Sequence, residues 1–198
     1  MAVQSGTYRG VSAEDRAAQR RSRLLDATLS VWSGDERVTM TRICAEAGLS
    51  ERYFYESFRT VDDALTAVME TIATEIEQTS TAAADAAGDD LTARVRASVL
   101  AFVALVERDP RKGRVAIIES VAIPALRRRR TQLLRHFGHL AAEETHGKWG
   151  TGDENRNRSE IAGLLFIGGM AELVTAWLDG AVEVTGEELA DAVALMFT

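Results

Sequence analysis

The residues from Thr39 to Phe58, TMTRICAEAGLSERYFYESF, constrain the fold more than any other stretch of the chain. Met40, Ile43, Cys44 and Ala47 recur at three- and four-residue spacing, which places one apolar stripe on a short helix. Thr39 precedes the stripe as an N-cap, since its hydroxyl can accept from an otherwise orphan amide. Gly48 follows it, where a left-handed residue ends a helix at little cost. Ser50 is then the expected cap of a second helix, on which Phe54 and Phe58 fall four apart on one face. At about 100° per residue, Arg52 and Glu56 point away from that face, and Tyr53 and Tyr55 lie on its flanks. The predicted unit is helix, tight turn, helix, with aromatic and basic side chains directed outward. Such a helix suits the major groove of DNA, where tyrosines meet phosphates, sugars and thymine methyls.

The pattern formed by Thr39, Ile43, Ala47, Gly48, Leu49, Ser50, Tyr55 and Phe58 resembles that of TetR-type transcriptional regulators, and the resemblance runs from about residue 12 to the C-terminus. It implies an all-α fold of about nine helices in two parts. Residues 1–61 would form a DNA-binding domain of three helices, with the helix-turn-helix at about 39–58. Residues 62–198 would form a helical-bundle domain for ligand binding and dimerisation. The DNA-binding candidates are Arg9, Thr39, Ser50, Arg52, Tyr53, Tyr55 and Ser57. Two positions depart from the family pattern. Ser57 stands where His or Tyr is usual, and Val61 where Lys is usual; both usual residues touch phosphate. Cys44 replaces the usual alanine and reads as a small buried hydrophobe.

Composition agrees with a helical reading. The chain has 198 residues, 46% of them hydrophobic, enough for a sizeable core, and only two prolines, Pro110 and Pro124. One cysteine excludes an internal disulfide and every two-cysteine metal motif. The polar N-terminus has no apolar core segment of the kind a secretory signal needs, so the expected location is cytoplasmic. The longest apolar run, Ile161 to Ala171, is too short to span a bilayer, and no membrane partner is expected. A net charge of −7 argues at first against nucleic acid, yet residues 1–61 hold nine Arg against eight Asp or Glu, a balance of +1 that leaves −8 for the rest. The acidic load thus lies away from the proposed DNA face.

Along the chain, Arg9 belongs to a polar arm that can reach a minor groove. Ser12 and Asp15 form a capping box that opens a helix to about Trp32, with Leu24, Leu25, Thr28 and Trp32 as its core stripe. A fourth helix runs from near Asp62 towards Ser80, followed by a soft stretch, Thr81 to Asp89. Leu91 to Arg108 is a helix broken by Asp109-Pro110. A short helix covers Val115 to Val121, and a long one runs from Pro124 to about Thr145. Gly147 to Asn157 reads as a polar loop. Ser159 to Leu178 is a helix, and Thr185 with Glu188 caps the last one, which ends near Phe197.

The helix from Ser159 is apolar almost all round, so it must be covered on more than one side. Gly168 and Gly169 in its middle each cost roughly 1 kcal/mol relative to alanine, which makes sense where another helix approaches closely. A homodimer interface of Leu164, Gly168, Gly169, Leu189 and Val193 follows, the last helix completing a four-helix bundle across a two-fold axis. Two reading helices would then meet successive major grooves of a near-palindromic double-stranded operator. The resemblance also implies a ligand cavity, with Phe102, Leu133, Phe137, Met170 and Trp177 as candidates from helical phase, each of which otherwise simply fills the core. A hydrophobic or amphipathic small-molecule effector of unknown identity would release a repressor from its operator. His136, His139 and Glu143 share a face, and a solvated polar stripe is the reading there; no metal and no cofactor is expected. Phosphate-binding loops, nucleophile elbows, two-histidine zinc motifs and dinucleotide-binding glycine patterns are all missing from the sequence. The alternatives are an adaptor or ligand-binding protein with a weakened DNA head, and a small helical enzyme.

Overall fold

The computed structural model describes residues 12–34, 36–145 and 153–197, and every regular element among them is helical. Arg9 and Trp149 lie outside the described residues. The chain separates into two compact units, 1–69 and 70–198.

In the first unit, α1 (Ala13–Trp32) opens on the expected capping box: Ser12 Oγ accepts from the Asp15 amide at 2.9 Å and Asp15 Oδ2 accepts from the Ser12 amide at 3.1 Å. The Asp15 carboxyl is held below its ordinary pKa, first by the Ser12 side chain and then by its backbone. Helices α2 (Met40–Ala47) and α3 (Glu51–Ser57) pack against α1. Their common core is Leu24, Ala27, Ile43, Cys44, Ala47, Phe54 and Phe58, joined by Ala64 of α4 (Val61–Ala86). The division between units therefore falls inside α4, after Met69, and not before Asp62, because the first turns of this helix contribute side chains to the first core. Thr60 and Asp63 exchange amide bonds of 3.1 and 3.0 Å and cap α4, a T-x-x-D helix-start signal that the sequence also carries. The helix also persists to Ala86, through most of the alanine-rich stretch expected to be soft, because alanine is the best helix former.

In the second unit, α5 (Leu91–Arg108) starts at Asp90, whose carboxylate accepts from the Ala93 amide at 2.8 Å. Pro110 then begins α6 (Pro110–Gly113), which continues through a π-helical stretch, Arg114–Glu119, into α7 (Ser120–Ala122). A single 3-10 turn, Pro124–Leu126, leads into α8 (Arg127–Thr145). Helix α9 spans Asp153–Leu178, so it begins six residues before Ser159, inside the stretch read as a loop. Helix α10 (Gly186–Ala194) carries the expected Thr185–Glu188 capping box and ends in a 3-10 turn, Leu195–Phe197.

Two packing contacts organise this unit. Helix α10 lies on α5, where Val95, Val99 and Val103 meet Leu189, Ala190 and Val193. Leu189 and Val193 are 2% and 3% exposed, so they belong to their own core and not to a surface that could receive a second subunit. The expected role of α10 in a dimer is corrected accordingly: a short helix with one apolar stripe has spent that stripe on α5. Helices α8 and α9 form an antiparallel hairpin in which Gly138 and Gly163 face each other closely. A Cβ on Gly163 would lie 2.0 Å from the Gly138 carbonyl oxygen, so the backbones need glycine here. Ion pairs bind α4 to its neighbours, Lys112 to Glu75 at 2.5 Å and Arg129 to Glu70 at 3.1 Å, and a hydrogen bond of 2.9 Å joins His136 to Glu77. Arg94 joins Asp85 at 3.1 Å and Glu144, and donates to the carbonyls of Ala84 and Gly88.

The outer side of α9 is uncovered. Ile161 is 61% and Leu165 72% exposed, and Gly168 and Gly169 have no neighbouring atom within 4 Å of a Cβ position. The segment Asn157–Leu178 is long and apolar enough to cross a membrane by length and composition, with 17% of it buried. Glu172 interrupts the apolar run Ile161 to Ala171, which alone is too short to span a bilayer, but the helix carries the pattern past that residue to Leu178.

Two measurements test this packing. Gly163→Ala should destabilise the second unit by about 1–3 kcal/mol through overpacking, lowering the thermal midpoint by about 2–4 °C per kcal/mol; an unchanged midpoint contradicts the contact. His139 links α8 to Glu160 of α9 at 2.8 Å and to Glu143 at 3.4 Å. Its pKa is raised above 6.5, first by the Glu160 hydrogen bond and then by Glu143. Its contribution is therefore complete below pH 6.5 and is lost as pH rises through the elevated value. Replacing Glu160 by Gln should flatten the pH dependence of the midpoint across that window.

Candidate nucleic-acid interface

The turn between α2 and α3 is built from both ends. Thr39 Oγ1 accepts from the Arg42 amide at 3.4 Å and starts α2. Gly48 closes it in the left-handed region, φ 59° and ψ 39°, which an L side chain rarely adopts. The guanidinium of Arg23 on α1 donates to the Ala47 carbonyl at 2.5 Å, satisfying a group that the end of α2 leaves open. A partner twenty-four positions away gives no periodic signal, so this contact is not legible in the sequence. Ser50 differs from expectation as well. Its backbone is extended, as a cap requires, and its carbonyl accepts from the Tyr53 amide at 3.0 Å, but its hydroxyl makes no capping bond.

Helix α3 is divided by exposure. Phe54 and Phe58 are 1% and 4% exposed, with ring centroids 5.6 Å apart. Tyr55 is 60% exposed and meets Phe54 edge-on. The Arg52 side chain is 84% exposed. Tyr53 is half-buried beneath the Arg20 guanidinium, 4.4 Å from its ring centroid. Glu56 lies between Arg52 at 3.1 Å and Arg20 at 3.6 Å, so two cations offset its charge; the other carboxylate of the helix, Glu51, is exposed in the first turn. Ser57 is half-buried, and Val61 packs on the head core, so neither extends the exposed face. Cys44 is buried, and burial first, then the nearby Glu51, pushes its thiol pKa up, which suits packing more than redox chemistry.

The structure thus brings Arg52, Tyr53 and Tyr55 to one short helix beside Arg20, with Thr39 at the start of the preceding one. Its free groups are hydrogen-bond donors and aromatic edges; no group of three or more His, Cys, Asp or Glu among the described residues is placed to hold a metal ion.

Phe102, Met170 and Trp177 pack on the α5–α10 core, and the Trp177 indole donates to the Val184 carbonyl at 3.1 Å. Leu133 and Phe137 are half-buried on α8. An open groove of about 490 Å³ along α4 is lined by Thr74, Glu77, Gln78, Thr81, Ala82 and Asp85, none of them in that set.

No protein-family model matches the chain, and no curated protein matches it. Its fold recurs in solved structures. The fatty acid degradation regulator FadR from Bacillus halodurans covers 89% of this chain with 93% of its own, at 18% identity and TM-score 0.74. A TetR-family transcriptional regulator from Bordetella parapertussis covers 89% with 93% of its own, at 14% identity and TM-score 0.68. FadR from Bacillus subtilis, solved with stearoyl-CoA, covers 88% with 96% of its own, at 16% identity and TM-score 0.67. The architecture is therefore that of the TetR-type regulators.

The two faces of α3 respond differently to truncation. Phe54→Ala should cost about 3–5 kcal/mol, whereas Tyr55→Ala should stay within about 0.5 kcal/mol. Denaturant unfolding of the two variants measures this, and equal costs would mean that the helix is turned otherwise.

Proposed function

We propose that this chain is a TetR-type transcriptional regulator: a homodimer that binds a near-palindromic double-stranded operator through α3 and is released by a hydrophobic or amphipathic effector. One observation carries the DNA reading. A helix of seven residues buries Phe54 and Phe58 and leaves Arg52 and Tyr55 in solvent, an arrangement that spends no apolar residue on the outside except a tyrosine with a polar tip. Arg52 is the base-edge candidate. Tyr53, Tyr55, Thr39, Ser50 and Ser57 are candidates for the backbone, and Arg9 for the minor groove. Arg52 would leave Glu56 to do so, and Arg20 remains beside Glu56 to offset its charge.

The homodimer reading rests on the uncovered side of α9, where Leu164, Gly168 and Gly169 are exposed. A water-facing helix this apolar is an association surface. Two copies would space their α3 helices about 34–36 Å apart to meet successive major grooves. The effector class is suggested by Bacillus subtilis FadR, which binds stearoyl-CoA, and by the aromatic and aliphatic groups Phe102, Leu133, Phe137, Met170 and Trp177. Effector binding would favour a conformation with the two reading helices wrongly spaced, and so weaken operator binding. The reading is of a cytoplasmic, non-enzymatic protein.

Selection of fragments from genomic DNA supplies the operator, and gel-shift titration then tests the residues. Arg52→Ala should weaken operator binding by roughly 5- to 150-fold, the factor that about 1–3 kcal/mol gives, with the fold and oligomeric state unchanged. Tyr55→Ala should weaken it in the same assay. If neither variant changes affinity, or no fragment is enriched, the adaptor or enzyme reading replaces this one.

A further inference from the structure

The outer stripe of α9 has a pattern that its own composition does not require. Arg158, Ile161, Leu165, Gly168, Gly169 and Glu172 all lie within about 60° of the Leu165 direction at 100° per residue, and all six are exposed. The stripe begins with a cation, continues with two large aliphatic side chains, opens into two glycines with empty space above them, and ends with an anion. Neither Arg158 nor Glu172 has an ion-pair partner among the described residues. These two residues are equidistant from Leu165, one on each side, and so are Ile161 and Gly169. A two-fold interface places residue i on j and j on i. Only a helix whose pattern is complementary to its own reverse can pair with itself antiparallel, and this stripe is.

We infer that two copies of α9 pack antiparallel across a two-fold axis at Leu165, with Ile161 of each seated in the Gly168–Gly169 notch of the other and Arg158 of each paired with the partner's Glu172. The inference rests on the homodimer reading above and specifies its register. Two competing registers fail on charge. Centring the axis on the glycines would set Leu165 against Glu172 and desolvate a carboxylate without a partner. A parallel pairing would stack like charges at both ends. A bilayer would likewise strip water from Glu172 and leave it unpaired. In the antiparallel register each charge finds its opposite about 10 Å from the axis, seven residues at about 1.5 Å each. Long side chains bridge that position at a shallow crossing of about 20°, the angle of bundle packing.

The test uses the full chain. Sedimentation equilibrium should give a dimer for the wild type. Arg158→Glu and Glu172→Arg should each raise the dimer dissociation constant at least about 10-fold, since each puts like charges together at both ends of the interface. The Arg158→Glu/Glu172→Arg double variant should recover to within about 3-fold of wild type, because a true pair is non-additive. Leu165→Cys should form a disulfide-linked dimer under mild oxidation, whereas the wild type, whose single thiol at Cys44 is buried, should not. A wild-type dimer in which the double variant stays weak or Leu165→Cys fails to cross-link overturns this register and leaves the homodimer standing. A monomeric wild type overturns both, and so does a monomer that floats with phospholipid vesicles, which would make lipid the occupant of the stripe.

Discussion

A helix of seven residues does not hold itself together in water, because the cost of nucleating so few hydrogen bonds exceeds their return. Helix α3 persists because Phe54 and Phe58 are buried against α1 and α2. Everything that makes the helix a recognition element follows from that anchorage. Burying one face fixes which side chains remain outside, and the left-handed Gly48 fixes the angle at which they are presented. Arg23 on α1 then holds the Ala47 carbonyl at the corner, so the turn is tied from a third element as well. The order is physical: apolar anchorage first, turn geometry second, exposed chemistry last.

The charges of the head are arranged around that exposed face with local compensation. Arg20 covers Tyr53 and also approaches Glu56, whose other neighbour is Arg52. Each of these contacts is exposed and weak alone. Together they offset the charge of Glu56, one of the two carboxylates on α3, which matters more for an encounter with phosphate than for stability. Residues 1–61 have a balance of only +1, and the first unit as a whole, with Asp62 and Asp63, has −1, so a single copy has little electrostatic pull. In the proposed dimer, two heads acting together would let a weakly basic surface gain useful affinity.

The second unit solves a different problem, the covering of long apolar helices. Glycines let α8 and α9 approach closely on one side, and α10 gives its whole stripe to α5. What is left over is the outer side of α9. Among the described residues no neighbour comes within 4 Å of a Cβ at Gly168 or Gly169, in contrast to Gly163, whose carbonyl neighbour leaves no room for a methyl group. The same residue type thus stands in two settings on one helix: in a close contact at Gly163 and in open space at Gly168 and Gly169.

How much of this was legible in the sequence depended on range. Local signals worked: the Ser12 and Thr185 capping boxes, the Gly48 stop and the Phe54–Phe58 anchor are each set by residues within a few positions, where helical phase is reliable. The Thr60–Asp63 cap was equally local and was simply not read. Long-range choices were not legible. Periodicity identifies Leu189 and Val193 as apolar and on one face, but not whether α5 or a second chain covers them, and α5 lies about ninety positions away. The same holds for Arg23 and for Phe102, Met170 and Trp177, which pack on the α5–α10 core. The sequence by itself determined the helices, the reading turn and the outward side chains, because hydrogen-bonding periods and caps are local physics. Only the tertiary structure decided which apolar stripes were already satisfied and which remained open, because that depends on where elements distant in the chain come to rest.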